Sequence, residues 1–138
     1  MSAPGAGAVE RTIGVVGAGA WGTALALAAA RAGNRVTVWA REPEVVAAVQ
    51  AYRENRPFLP GHPWPESMRA TNSVADLADS DAILLAAPAQ ALRAVSQNLR
   101  SVLDVSAPVL ICAKGMERRT GLLMSEVAAQ ELAGSPIG

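Results

Sequence analysis

The stretch that most constrains the fold of this chain runs from Thr12 to Ala32 and reads TIGVVGAGAWGTALALAAARA. An apolar, strand-like run, Thr12–Val16, stops at a glycine turn, and a breaker-free alanine-rich run follows as far as Gly33, which predicts a strand, a turn and a helix. In a G-x-G-x-x-G turn the first glycine permits the sharp bend, the second lets backbone approach a pyrophosphate, and the third lets helix and strand pack closely. These positions are Gly17, Gly19 and Gly22.

The helix that follows this turn would direct its free N–H groups and partial positive charge at whatever lies against the glycines. Such an end suits a diphosphate, so the stretch predicts a dinucleotide site. The competing interpretation is a plain glycine turn inside a core. The predicted strand and helix on either side of the Gly17–Gly22 turn distinguish it from Gly5-Ala6-Gly7 at the amino terminus, which has neither a strand before it nor a helix after it.

Length and composition predict one domain without a nucleic-acid or membrane footprint. The 138 residues are 51% hydrophobic, enough for a real core, and the 12 basic and 12 acidic residues give a net charge of zero. Residues 1–11 are small and polar and predict a disordered lead-in, with neither a signal sequence nor an apolar run long enough for a membrane span. We therefore expect a cytoplasmic protein with no metal site and no nucleic-acid partner.

The rest of the chain alternates predicted strands and helices. Strands are expected at 35–39, 68–71, 81–87 and 108–113, and helices at 44–52, 89–103 (opened by Pro88) and 120–133, with a helical turn at 73–79. Between them Glu54–Pro65 carries four prolines and is predicted to be a loop. This alternation predicts an α/β fold: a Rossmann-type, doubly wound parallel sheet of five strands in the order 3-2-1-4-5.

In such a sheet the ligand crevice lies at the carboxyl ends of strands one and four, where the winding reverses. Arg41, Pro88 and Lys114 each follow a predicted strand and become candidates on topology alone. Lys114 also stands out because the other 11 basic residues are all arginine, although an ordinary surface lysine remains the competing interpretation. We predict His62 to be a solvent-facing loop histidine and Cys112 a buried structural thiol without a catalytic role.

The second strand suggests which dinucleotide binds. NAD-selective sites end this strand in an acid that accepts hydrogen bonds from the ribose 2′-OH, whereas a guanidinium can hold a 2′-phosphate. Arg41 lies 19 residues after Gly22, and the acid Glu42 comes one position later. The spacing predicts that NADP(H) is preferred and that NAD(H) binds more weakly.

Several stretches together resemble the bacterial NAD(P)-dependent glycerol-3-phosphate dehydrogenases. GAGAWGTALA, VWAR, ENRPFLPG, AAPAQALR and CAKGME occur in this order over residues 12–138. The resemblance implies an NAD(P)-binding domain of an oxidoreductase that interconverts dihydroxyacetone phosphate and sn-glycerol 3-phosphate for phospholipid synthesis. It leaves open a homodimer as the full-length enzyme.

The resemblance also implies roles for individual residues. Trp21 matches an aromatic next to the pyrophosphate, Arg41 the residue facing the adenosine ribose, and Phe58 the aromatic of an Asn-x-x-aromatic-Leu-Pro loop. Lys114 matches the lysine that reaches both cofactor and phosphorylated substrate. Ala20 stands where many members carry serine, which leaves a backbone contact and removes a hydroxyl.

By this resemblance a helical substrate domain with the catalytic lysine would follow residue 138, so we assign no catalytic residue and expect no turnover from these residues alone. Two other interpretations stay open. In the first, the chain is a stand-alone NAD(P)-binding or redox-sensing module. In the second, it is the cofactor domain of a β-hydroxyacid-type dehydrogenase, against which the stretches ENRPFLPG and CAKGME argue.

Overall fold

The protein is described by a computed structural model that covers residues 9–104 and 106–138. Most of the predicted lead-in, residues 1–8, lies outside the described residues. Its last residues accompany the second strand: the Arg11 carbonyl accepts a hydrogen bond from the Arg35 amide at 2.9 Å, and the Glu10 carboxylate pairs with the Arg35 side chain at 3.1 Å. No helix among the described residues is both long and apolar enough to cross a bilayer.

Strands and helices alternate as the sequence predicted. The strands are β1 (Thr12–Val16), β2 (Arg35–Trp39), β3 (Met68–Thr71), β4 (Ala82–Leu85) and β5 (Val109–Ile111). The helices are α1 (Ala20–Arg31), α2 (Pro43–Tyr52), α3 (Leu92–Arg100) and α4 (Met124–Glu131), with a 3₁₀ turn at Val74–Leu77.

All five strands run parallel in the order β3-β2-β1-β4-β5, which confirms the predicted doubly wound sheet. The order places β1 at the centre, flanked by β2 and β4. Since the chain winds outward in both directions from β1, the connections leave a crevice at the carboxyl ends of β1 and β4.

The core forms two clusters, one on each face of the sheet. On one face Val15 packs with residues of α1 and α2, and on the other Val16 packs with residues of α3 and α4. Successive side chains of β1 point to opposite faces, so both valines are fully buried, as expected of a central parallel strand.

Two helices are shorter than predicted. Pro88 opens a turn rather than a helix, because the Ala91 amide bonds to the Pro88 carbonyl at 2.9 Å and α3 begins only at Leu92. The chain must first cross the end of β4 before it can descend along the sheet. The fourth helix starts at Met124 rather than at Thr120, because Gly121 has a φ of +73° and the Glu117 amide bonds to the Leu122 carbonyl at 2.8 Å, so the backbone forms a turn there.

The outer edge of β5 is partly paired. Ile137 forms a parallel bridge with Val109, and the Ile111 amide bonds to the Gly138 carbonyl at 2.7 Å. The segment after α4 therefore returns to the sheet beside β5.

Candidate functional site

The turn after β1 is folded tightly against the neighbouring strands. Gly17 has a φ of +113°, in the left-handed region that favours glycine, and its amide bonds to the Trp39 carbonyl at 3.0 Å. A Cβ at this position would lie 2.8 Å from the backbone of Ala86. The bend therefore depends on the missing side chain.

The next two glycines do different work. A Cβ on Gly22 would lie 2.0 Å from the Gly17 carbonyl oxygen, so this glycine lets α1 pack directly on the turn. A Cβ on Gly19 would meet no atom within 4 Å. Gly19 thus opens onto free space at the amino end of α1, beside free helix amides of the kind that bind phosphate groups.

A cleft of about 200 Å³ adjoins this open space. The structure brings into its lining five of the residues predicted from the sequence, which come from the glycine turn, the end of β2, the proline-rich loop and the end of β4: Gly17, Gly19, Arg41, Phe58 and Pro88. Phe58 is 43% exposed, so it forms a wall of the cleft rather than part of the core. Trp64, which is 4% exposed, anchors the same loop.

A second hollow of about 650 Å³ shares Pro88 with the cleft and extends towards β5. Trp21, Cys112 and Lys114 line it. The Trp21 indole, 62% exposed, donates a hydrogen bond from Nε1 to the Cys112 carbonyl at 2.9 Å, which joins the first turn of α1 to the end of β5. The two hollows together form a continuous crevice across the carboxyl edge of the sheet.

The remaining predicted residues, Ala20 and Gly22, lie in the first turn of α1 and line neither hollow. Ala20 is exposed and Gly22 is buried. Gly22 therefore acts through packing, while Ala20 offers a backbone amide at the helix end.

Two cations at the rim, Arg41 and Lys114, are exposed, and no carboxylate of the described residues lies within ion-pair distance of either. Glu42 lines the cleft beside Arg41 and is half-buried. The rim thus carries positive charge that protein carboxylates do not neutralise, which favours anionic ligands.

Asn55 is a site residue that sequence reasoning missed. It is fully buried, and its Nδ2 donates to the Ala18 carbonyl at 2.8 Å and to the Thr23 hydroxyl at 2.9 Å, while its Oδ1 accepts from the Phe58 amide at 3.2 Å. One side chain therefore joins the proline-rich loop to the glycine turn. The signal was present in the sequence, since Asn55 is the asparagine of the Asn-x-x-aromatic-Leu-Pro motif, but only the aromatic Phe58 was assigned a role.

A partly buried ion cluster between α3, α4 and the segment after β5 was also missed. Arg93 of α3 forms two hydrogen bonds with Glu117, at 2.8 and 2.9 Å, and a third with Glu131 of α4 at 2.7 Å. Hydrogen bonds from Arg93, and to a smaller extent from Thr120, lower the pKa of Glu117 to about 2. In turn, the carboxylates of Glu117 and Glu131 raise the pKa of Arg93. The partners lie 24 and 38 residues apart, a spacing that carries no sequence signal.

The predicted burial of Cys112 was wrong. The thiol is only partly buried and lies on the crevice, because the chain leaves the sheet directly after Ile111. Partial burial raises the pKa of this thiol, which keeps it protonated near neutral pH. His62 is exposed, as predicted.

Comparison with known families decides what kind of domain this is. Residues 12–138 match the family model for the NAD-dependent glycerol-3-phosphate dehydrogenase N-terminus. The chain belongs to this family.

Curated relatives of this family agree with the match. The chain is 51% identical over 129 residues to the glycerol-3-phosphate dehydrogenase [NAD(P)+] of Methylobacterium radiotolerans, covering 93% of the chain and 39% of the relative. With the enzyme of the same name from Caulobacter vibrioides it shares 52% identity over 125 residues, covering 91% and 38%. The chain therefore spans about two fifths of the length of these relatives.

Solved structures of the family have the same fold. The crystal structure of glycerol-3-phosphate dehydrogenase from Coxiella burnetii matches with a TM-score of 0.86 and 34% identity, over 93% of this chain and 39% of that one. The glycerol-3-phosphate dehydrogenase of Saccharomyces cerevisiae matches with a TM-score of 0.80 and 26% identity, over 94% and 41%. Family membership argues against the β-hydroxyacid-type dehydrogenase considered from the sequence.

Proposed function

We propose that this chain is the cofactor-binding domain of an oxidoreductase that interconverts dihydroxyacetone phosphate and sn-glycerol 3-phosphate, and that it binds NADP(H) in preference to NAD(H). The observation that carries the proposal is the open space at Gly19, at the amino end of α1 and beside Arg41, which pairs with no carboxylate in the part of the chain that the structure describes. The relatives' names include NAD(P)+ and support a nicotinamide dinucleotide without favouring either form.

The residues fit the cofactor on three counts. Gly19 leaves room for the pyrophosphate, and the amides of the first turn of α1, including those of Ala20 and Trp21, have no acidic side chain competing for them. The cleft wall at Phe58 and Pro88 supplies apolar surface. The bound cofactor would supply the hydride that reduces the ketone.

We assign Lys114 a charge role at the nicotinamide end of the crevice. It is exposed on the second hollow, where its flexible ammonium can contact the nicotinamide half of the cofactor and also hold the oxygen or phosphate of a small phosphorylated ketone. Gly115, with a φ of +118°, lets the backbone turn next to it. No residue among the 138 is assigned to proton transfer.

The preference for NADP(H) depends on Arg41. A guanidinium at the end of β2 pairs with a 2′-phosphate, while Glu42 one residue later would repel it from the same side. We expect Arg41→Ala to weaken NADPH binding by about 1–2 kcal/mol and to leave NADH binding nearly unchanged.

Titration of the chain with NADPH and NADH, followed by tryptophan fluorescence, measures this preference. Glu42→Gln is the matched control, since removal of the carboxylate should strengthen NADPH binding and so shift the ratio in the opposite direction. An NADPH-to-NADH affinity ratio that is equal in wild type and Arg41→Ala would refute the assignment.

The whole activity has its own test. The 138-residue chain should bind NADPH but should not oxidise it with dihydroxyacetone phosphate. Residues 12–138, grafted in place of the matching part of the Methylobacterium radiotolerans relative, should give an active cytoplasmic enzyme. We expect this grafted enzyme to be a homodimer, which sedimentation would test. A grafted enzyme that folds, binds NADPH and lacks turnover would contradict the proposed reaction.

A further inference from the structure

We infer that Glu117 and Arg93 are positioning residues that hold the loop carrying Lys114 at the crevice. The inference rests on the proposed function, in which Lys114 faces the nicotinamide end of the cofactor. We call residues 113–118, which follow β5, the lysine loop.

The lysine loop is pinned at its start by the sheet and near its end by Glu117. The Cys112 amide bonds to the Leu85 carbonyl at 2.9 Å, which is the last tie to β4. Glu117 is 7% exposed and accepts the two hydrogen bonds from Arg93, together with one from the Thr120 hydroxyl at 2.6 Å. Lys114 therefore lies on a short span fixed at both ends.

A second side chain from the β4–α3 connection grips the same loop. Gln90 donates from Nε2 to the Met116 carbonyl at 2.9 Å and accepts at Oε1 from the Arg118 amide at 3.1 Å. Its amide therefore brackets the backbone on both sides of Glu117. The β4–α3 connection also contains Pro88, so the loop is attached to the segment that lines both hollows.

Lys114 has no restraint of its own. Its side chain is exposed and unpaired among the described residues, and Gly115 beside it has a left-handed backbone with a φ of +118°. The position of the ammonium is therefore decided by Glu117 and Gln90, which hold the lysine loop, rather than by contacts of Lys114 itself.

Helix packing alone does not account for Glu117. Arg93 already ties α3 to α4 through Glu131, and Arg100 lies 3.8 Å from the same carboxylate. What Glu117 adds is the connection from this pair of helices to the lysine loop. A buried carboxylate is costly unless it is fully hydrogen-bonded, and here it is bonded by three donor groups.

This arrangement offers a matched pair of variants. Glu117→Gln removes the charge that anchors the loop, and Glu131→Gln removes the other carboxylate of Arg93 while the loop stays bonded. Backbone amide hydrogen exchange across residues 113–118 should speed up about tenfold or more in Glu117→Gln and change less than about twofold in Glu131→Gln. Gln90→Leu, at an exposed position, should also accelerate this exchange.

The functional readout separates the two halves of the cofactor. Glu117→Gln should weaken NADPH binding about fivefold and leave the binding of adenosine 2′,5′-bisphosphate, which lacks the nicotinamide half, unchanged within about 1.5-fold. In a Lys114→Met background, the Glu117→Gln loss of NADPH affinity should disappear, because the residue acts through the lysine.

Each failure points to a different error. If Lys114→Met leaves NADPH affinity unchanged, the proposed role of Lys114 is wrong. If Lys114→Met weakens NADPH binding and Glu117→Gln does not, or if both nucleotides weaken equally in Glu117→Gln, the positioning role is overturned. Equal exchange in Glu117→Gln and Glu131→Gln would likewise show a general contribution to stability.

Discussion

Two glycines of the turn after β1 differ sharply in what a single added methyl group would meet. Gly22 has the Gly17 carbonyl 2.0 Å from the position of its missing Cβ, while Gly19 has open space and a φ of −70° that any residue adopts. The same chemical change therefore tests packing at one position and ligand access at the other.

We expect Gly22→Ala to destabilise the fold by about 3 kcal/mol, because the methyl group would force α1 away from the turn. Gly19→Ala should change stability by less than about 1 kcal/mol but weaken NADPH binding by at least about tenfold. Urea unfolding and NADPH titration measure the two effects. A Gly19→Ala variant with wild-type affinity would show that the pyrophosphate does not lie at this turn.

At the scale of elements, Asn55 joins two segments that have no strand or helix in common. We expect Asn55→Ala to cost about 2–3 kcal/mol, because it removes two donated hydrogen bonds and leaves buried acceptors unpaired. Asn98→Ala, at an exposed position of α3, is the matched control and should change stability by less than about 0.5 kcal/mol. Equal urea midpoints for the two variants would contradict this role.

The ion cluster between α3, α4 and the lysine loop predicts a dependence of stability on pH. The folded pKa of Glu117, about 2, lies below its ordinary value of 4.5, so its contribution is complete above pH 4.5 and is lost as the pH falls towards 2. Glu117→Gln should therefore be less stable at neutral pH and lose less stability than wild type between pH 4.5 and 2. If the free energy of unfolding, measured with urea across this pH range, falls equally in wild type and Glu117→Gln, Glu117 is not the source of the pH dependence.

At the scale of the whole molecule, the sheet has one poorly covered region. Val109 and Ile111 of β5 pack against the α3–α4 face, so Leu110 points to the opposite face, where it is 43% exposed. Its neighbour in register, Leu84, is packed against the α1–α2 cluster. The cover of this face therefore stops one strand short of the edge.

Exposed apolar surface near a sheet edge favours self-association. We expect Leu110→Lys to reduce concentration-dependent association of the chain in sedimentation velocity, with a stability change within about 1 kcal/mol. Leu123→Lys, at a similarly exposed leucine just before α4, is the control and should have a smaller effect. Association that is unchanged by Leu110→Lys would show that this face is not responsible.

Most of the fold was readable from the chain because each element is specified by its own neighbours. The run Ala82–Leu85 is apolar throughout because a central parallel strand is buried on both faces, and the strand order then follows from the right-handed winding of such units. The glycine turn was also readable locally, since the three glycines that permit it lie within six residues. The crevice was therefore located correctly at the ends of β1 and β4.

The sequence by itself thus determined the alternating strands and helices, the glycine turn and the edge of the sheet at which Arg41 and Lys114 stand. Only the tertiary structure decided that Asn55 reaches the glycine turn, that Arg93 holds Glu117, and that Cys112 lies on the crevice. The physical reason is that these contacts join residues far apart in the chain through side-chain hydrogen bonds of a fixed length. Such bonds depend on the exact relative placement of two elements, which no periodicity or spacing encodes.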